Sequence, residues 1–279
     1  MKKSGLQSSD NKAISTVEHK QLKVESYSVH YYLSGKPGNI TILFLHPAFA
    51  DHRCFNKQVD YFSKNFRVIT IDLPGHGLSR VKGSKDKIDQ SVYHIAQILK
   101  NEEIDRAHFV GVSMGSLIAQ YIALNYPGMV SSLTVVGGYN INADNREVAK
   151  AQRAENLKWI WKAMISMDSF RRYVAQVSVF REEEKVKYYE MAQSFTRRSF
   201  SVMSGLQKVV QPRKNIKRDY PLLLICGEYD RDLAKKTAGK WHESEPVSEF
   251  HIINYAGHCA NMDKAPEFNE IVMDFIHKV

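Results

Sequence analysis

The sequence predicts an α/β fold, a mostly parallel twisted sheet with helices on both faces and an inserted helical lid. Three observations lead there. Short apolar runs of strand character alternate with helical periodicities from residue 40 to the C-terminal end. Glycine-bearing corners follow several of those runs. About eighty residues separate the strand ending near Val136 from the one opening at Pro221, too many for a simple crossover.

Taken in order, residues up to about 20 read as a mobile polar tail, since Met1-Lys2-Lys3-Ser4-Gly5 and its continuation carry no apolar period. Leu22 to Leu33 reads as an antiparallel hairpin ahead of the parallel sheet. Strands are expected near 40–46, 67–72, 107–112, 131–137, 221–226 and 249–255, with helices between them. The first ends in His46-Pro47-Ala48, and the second runs into Asp72-Leu73-Pro74-Gly75-His76-Gly77-Leu78-Ser79. At Gly111-Val112-Ser113-Met114-Gly115 the third gives way to a helix marked by Leu117, Ile118, Tyr121 and Ile122. Residues 140–218 are expected to form the lid, with 1–139 and 219–279 forming the core beneath it.

The corner at Ser113 suits a nucleophile, because flanking glycines let the backbone strain and approach its neighbours closely while the hydroxyl stays above the sheet edge. A hydroxyl is a weak nucleophile at neutral pH and needs a base, an acid to orient that base, and donors for an oxyanion. Asp230 is the candidate acid, in the turn Gly227-Glu228-Tyr229-Asp230 that follows an apolar strand. His258 is the candidate base, in Ala256-Gly257-His258 after the last strand. Asp232 competes with Asp230 but reads as a helix cap, and Asp144 lies several residues beyond its strand. His46 and His76 read as structural residues, His46 shaping the loop under the oxyanion site.

Together these segments resemble the α/β-hydrolase superfamily, in its small capped branch of esterases, lactonases and carbon–carbon bond hydrolases, over nearly the whole chain. The resemblance implies that Ser113 attacks an acyl carbon, that His258 takes and returns the proton, and that Asp230 holds the useful tautomer. It also implies an oxyanion hole from the backbone amides of Ala48 and Met114, with Phe49 a second choice to Ala48. Pro47 departs from the glycine usual after this histidine, and it has no amide to give. The expected activity is that of a cofactor-independent serine hydrolase cleaving a carboxylic ester or lactone through an acyl-enzyme. Two alternatives keep the same three residues: a small-ligand receptor with slow or no turnover, and a carbon–carbon bond hydrolase. Superfamily members that open epoxides or displace halide use an aspartate where this chain has Ser113.

No cofactor or metal is expected, since no phosphate-binding loop or zinc-type His-Glu-x-x-His string occurs and Cys54, Cys226 and Cys259 are scattered. The 279 residues, 43% hydrophobic and 25% charged, suffice for a sizeable core. The opening lacks a secretory apolar run and no stretch approaches the roughly 18 apolar residues of a membrane span, so a cytoplasmic protein with reduced thiols is expected.

Residues 140–218 hold 17 Lys and Arg against 8 Asp and Glu, a balance of +9 that equals the whole chain's formal charge. No nucleic-acid partner is expected, because no binding motif accompanies the charge and Glu182 to Glu184 interrupt it. The lid's Trp159, Trp161, Met164, Met167, Phe170, Tyr173, Phe180, Tyr188, Tyr189, Met191, Phe195, Phe200 and Met203 are expected to face the core or a pocket. That pocket favours a small acyl substrate with an apolar portion.

Overall fold

A computed structural model describes residues 17–81, 86–214, 216, 218–245 and 247–279. Strands β1 (Glu18–Lys23) and β2 (Ser28–Ser34) form the expected hairpin, with His19 opposite Tyr32 and Lys20 opposite Tyr31. The tail expected up to residue 20 is therefore too long at its inner end, while residues 1–16 lie outside the described residues. Lys20 enters the strand through an ion pair with Glu102 at 3.0 Å, a contact that no apolar period registers.

Next come β3 (Thr41–Leu45), α1 (Asn56–Phe62), β4 (Arg67–Ile71), α2 (Ser91–Asn101), β5 (Ala107–Val112), α3 (Met114–Asn125) and β6 (Val130–Val136). Among the described residues five helices then follow without a strand: α4 (Arg146–Ile165), α5 (Met167–Ser178), α6 (Glu182–Ala192), α7 (Arg197–Met203) and α8 (Leu206–Val209). The chain closes with β7 (Leu222–Gly227), α9 (Asp232–Ser244), β8 (Glu249–Ile253), α10 (Ala260–Asp263) and α11 (Ala265–His277). The last strand stops short of the expected residue 255 because Tyr255 takes a left-handed φ of 54°.

The eight strands lie in the order β1-β2-β4-β3-β5-β6-β7-β8, parallel except where β2 meets β1 and β4. Ile42, Leu43, Phe44 and Leu45 are all fully buried. Side chains alternate across a strand, so Ile42 and Phe44 join Phe55, Phe62 and Val110 on one face while Leu43 and Leu45 join Phe109 and Ile118 on the other. A sheet covered on both faces needs such unbroken apolar runs.

Strand β3 has β4 on one side and β5 on the other, so the winding reverses there and leaves a crevice beyond the carboxyl ends of the strands. Register brings those ends level: Val112 sits opposite Val136, Val136 opposite Ile225, and Gly227 opposite Ile253. The turns after β5, β6, β7 and β8 therefore open on one edge.

Helices α4 to α8 cover that edge. Phe170, Tyr188, Met191 and Phe195 are buried against Phe49 and Ala50, as expected of the lid's apolar side. Trp161 and Met164 are not, being 64% and 73% exposed, and Phe180 is 42% exposed. These three correct the expectation that every large apolar lid residue faces inward; Trp161 and Met164 belong to α4, whose inward face is already filled by other residues. Among the described residues no helix is long and apolar enough to cross a membrane.

Candidate active site

Ser113 stands between β5 and α3 with φ 51° and ψ −116°, a conformation that side chains rarely adopt. The surroundings hold it there. The Ser113 amide donates to the Val136 carbonyl at 2.7 Å, and the Ser113 carbonyl accepts from the Ser116 amide at 2.9 Å and its hydroxyl at 2.6 Å. A side chain at Gly111 would come within 2.4 Å of the Ser116 α-carbon, and one at Gly115 within 2.0 Å of the Leu45 carbonyl oxygen. Both glycines are required because strand, corner and helix pass too closely for a β-carbon.

Asp230 and His258 meet. The Asp230 Oδ1 lies 2.9 Å from His258 Nδ1 and also accepts the Arg231 amide at 2.7 Å. Burial pushes the Asp230 carboxyl upward, but the charge and hydrogen bond of His258 and the Arg231 amide outweigh it, and its pKa falls below the ordinary value. An ionised carboxylate only accepts, so the ring nitrogen facing Asp230, Nδ1, is the donor and Nε2 is the nitrogen turned away from that bond. Asp230 Oδ2 is buried without a hydrogen-bond partner among the described residues.

Ser113 and His258 line one cavity of about 180 Å³, but no hydrogen bond joins the hydroxyl to the imidazole. Of the two links between the three residues, the structure closes one. Catalytic hydrogen bonds of this kind commonly tighten only around substrate.

The loop after β3 is fixed from two sides. Buried His46 donates from Nδ1 to the Pro47 carbonyl at 2.8 Å and accepts the Leu73 amide at Nε2 at 2.9 Å. Burial lowers its pKa, which keeps the ring neutral for that pair of bonds. A trans peptide points its N–H opposite to its C=O, so holding the Pro47 carbonyl aims the Ala48 amide away from His46. Tyr188 of α6 donates its hydroxyl to the Ala48 carbonyl at 2.6 Å and so holds the next peptide, that of Phe49, as well. Neither the Ala48 nor the Met114 amide has an acceptor among the described residues. Phe49 itself takes φ 70°, its ring held edge-on by Trp159, Phe170 and Phe195 at 4.9–5.1 Å.

The remaining sequence candidates fall elsewhere. Asp144 is exposed and held by Arg146. Asp232 is fully exposed, pairs with Lys235 at 3.2 Å, and is the first residue of α9 rather than its cap, which is Arg231. His76 is buried and driven down to about 3 by desolvation and by His46. Cys259, although next to His258, is fully buried with its thiol pushed well above its usual value by desolvation.

Three residues that help place the candidate site were not assigned that role from sequence. Gly137, at φ 58°, passes so close to the pair that a β-carbon there would lie 2.8 Å from His258 Nδ1 and 3.1 Å from Asp230 Oδ2. Its signal was the Gly137-Gly138 doublet directly after a strand. Asp263 accepts the amides of Phe180, Arg181 and Gly257 at 2.9–3.0 Å, tying the α5–α6 junction to the His258 loop. Asp263 left no local signal, and Tyr188 was expected only to face the core or a pocket, as it does; the partners of both are remote in the chain.

The cavity is walled by Phe49, Val148, Trp159, Val174 and Leu233, with Arg231 the one Lys, Arg, Asp or Glu of its lining among the described residues. Glu155 collects the Trp159 indole N–H at 3.1 Å and the Tyr173 hydroxyl at 2.7 Å, and lies 3.8 Å from Arg231. A wider groove of about 690 Å³ near the start of β6 holds Arg106, Arg213 and Arg218 but none of the three candidate residues. Asp51, His52 and Asp72 bring three donor atoms within 4.8 Å of one another, as a metal would require. Their carboxylates are already engaged, Asp51 by Arg53 and Asp72 by the His52 ring and the amides of His52 and Leu78.

A family model described as Alpha/beta hydrolase family matches residues 42–271. The chain is 27% identical to a 2-hydroxy-6-oxononadienedioate/2-hydroxy-6-oxononatrienedioate hydrolase of Burkholderia vietnamiensis, over 90% of this chain and 91% of the relative. It is 24% identical to the monoacylglycerol lipase ABHD6 of Bos taurus, over 91% of this chain and 81% of the relative. Among solved structures, a 2-hydroxy-6-oxo-6-phenylhexa-2,4-dienoate hydrolase from Rhodococcus superposes with a TM-score of 0.75 at 18% identity, covering 94% of this chain and 99% of that one.

Proposed function

The chain belongs to the alpha/beta hydrolase family, and we propose that it is a serine hydrolase, independent of any cofactor, that cleaves a carboxylic ester or lactone through an acyl-enzyme. The observation that carries this reading is the strained Ser113 facing the same cavity as His258, whose Nδ1 is already bonded to buried Asp230. His258 Nε2 takes the Ser113 proton as the hydroxyl attacks the acyl carbon. The resulting oxyanion is received by the Ala48 and Met114 amides, the second at the start of a helix where negative charge is favoured. His258 then protonates the leaving group, and a water activated by the same imidazole releases the acid.

Residues 140–218 act in this reading as a lid, whose Trp159 and Val174 supply apolar wall to the cavity. A second reading, carbon–carbon bond hydrolysis of an anionic diketone, is favoured by Arg231 in the cavity and by a relative named as the hydrolase of an anionic hydroxy-oxo dioate.

Hydrolysis of short p-nitrophenyl esters separates these readings from a non-turning receptor. Multiple turnover is expected, falling by at least about 10³-fold in Ser113→Ala with circular dichroism unchanged. Turnover untouched by that substitution, or a single slow event per molecule, overturns the proposal. Running diketones beside the esters assigns the bond cleaved.

A further inference from the structure

We propose that helix α4 docks this protein on the surface of an anionic lipid bilayer. The helix has two apolar faces. Val148, Trp159 and Ala163 point inward, Val148 and Trp159 to the cavity wall and Ala163 into the packed core. Leu157, Ile160, Trp161, Met164 and Ile165 point outward and are 68%, 49%, 64%, 73% and 63% exposed. Their spacing of 3, 1, 3 and 1 is that of one continuous helical stripe. Single exposed apolar residues are ordinary, but five adjoining ones on one face mark a contact made with something else.

Charge on the same helix says what that is. One and two turns earlier the outward face carries Arg153 and Lys150, neither of which has an ion-pair partner among the described residues. Lys158 and Lys162 flank the stripe, Lys158 paired to Glu155 at 3.6 Å and Lys162 over the Tyr173 ring at 4.8 Å. Basic residues at headgroup level beside Leu, Ile, Met and Trp at the acyl boundary are the composition of a helix lying in a membrane interface.

A second copy of the chain fits less well. Two-fold pairing through α4 sets each patch against itself, and with it the basic Lys150, Arg153, Lys158 and Lys162 of one copy near those of the other. Because Trp159 lies on the opposite side of the helix, an acyl compound leaving the bilayer beside α4 reaches the cavity within the thickness of one helix. The docking proposal does not depend on the hydrolytic reading.

The test is flotation of the full chain with vesicles of phosphatidylcholine alone or with 30% phosphatidylglycerol, beside light scattering of the protein without lipid. Binding to the anionic vesicles is expected, weakened by 0.5 M salt. Trp161→Ser/Met164→Ser and Lys150→Glu/Arg153→Glu, all at exposed positions, should each lower the partition coefficient roughly tenfold or more. Absence of binding to anionic vesicles overturns the proposal, as does binding unaffected by both double variants. So does a dimer in lipid-free solution that Trp161→Ser/Met164→Ser dissociates, which would assign the stripe to a second copy.

Discussion

Gly137 has no side chain to offer chemistry, yet its bare α-carbon sets how closely β6 passes the imidazole and carboxylate. In Gly137→Ala the new methyl must push His258 or Asp230 aside, as it would lie 2.8 Å from the ring. Misplacing a reacting group by about 1 Å costs about 10²-fold in rate, so kcat should drop by that order while KM moves little, read by steady-state ester kinetics. Asp72 makes a different statement. Burial would raise its pKa, but the hydrogen bond and charge of His52 and the amides of Leu78 and His52 overcome this and lower it to about 2. A carboxylate depressed in the folded state stabilises above its unfolded pKa and loses that contribution as pH falls through the folded one. Asp72 should thus contribute about 2 kcal/mol at about pH 5, fading from about pH 4 to about pH 2. Urea midpoints at pH 6 and pH 3 should converge in Asp72→Asn relative to the parent. At this scale Ser113, Asp230 and His258 were legible because each follows an apolar strand and is punctuated by glycine. Asp263 was not, since it reads as an ordinary acidic residue until the amides of Phe180 and Gly257 are brought to it from separate segments.

Strands were legible as elements because a sheet covered on both faces demands apolar runs, and Ile42 to Leu45 is such a run. Edge strand β1 was less so: its pattern is mostly exposed, and cross-strand pairing and the Lys20–Glu102 pair hold it. Among helices, α4 defeated the expectation of a single inward apolar face because both of its faces are apolar. Helix α6 connects the helical segment to the proposed oxyanion loop through one bond, Tyr188 to the Ala48 carbonyl. Removing that hydroxyl in Tyr188→Phe leaves a carbonyl without its donor and frees the loop to turn. Loss of such a bond costs about 1–3 kcal/mol. The account predicts a kcat about tenfold lower with KM nearly unchanged, and stopped-flow acylation rates check it; an unchanged rate would remove α6 from the mechanism.

Along the sequence the charge is uneven, with residues 140–218 carrying a formal +9 and the remainder balancing to zero; Arg213 and Arg218 line the groove near the start of β6, while residues 146–203, which reach the cavity through Val148, Trp159 and Val174, hold 12 Lys and Arg against 7 Asp and Glu. A basic region over a site draws anionic substrates from a distance, and salt screens that field over about 10 Å at 0.1 M. For an ester bearing a carboxylate, kcat/KM should fall steeply between 20 and 500 mM salt, roughly tenfold, while a neutral ester of the same acyl chain should barely respond. Fold class was legible at this scale from strand–helix alternation and the long gap before Pro221, and the sheet order bears it out. What the gap could not convey was which face of each inserted helix points inward, because that depends on packing between segments far apart in sequence. The account rests on an activated Ser113 hydroxyl, and peptide mass spectrometry after timed exposure to a fluorophosphonate tests it most directly. One phosphonyl group on Ser113, added at least about 10²-fold more slowly in His258→Ala, is the predicted result. Labelling at another residue, or at Ser113 with a rate indifferent to loss of His258, would contradict it.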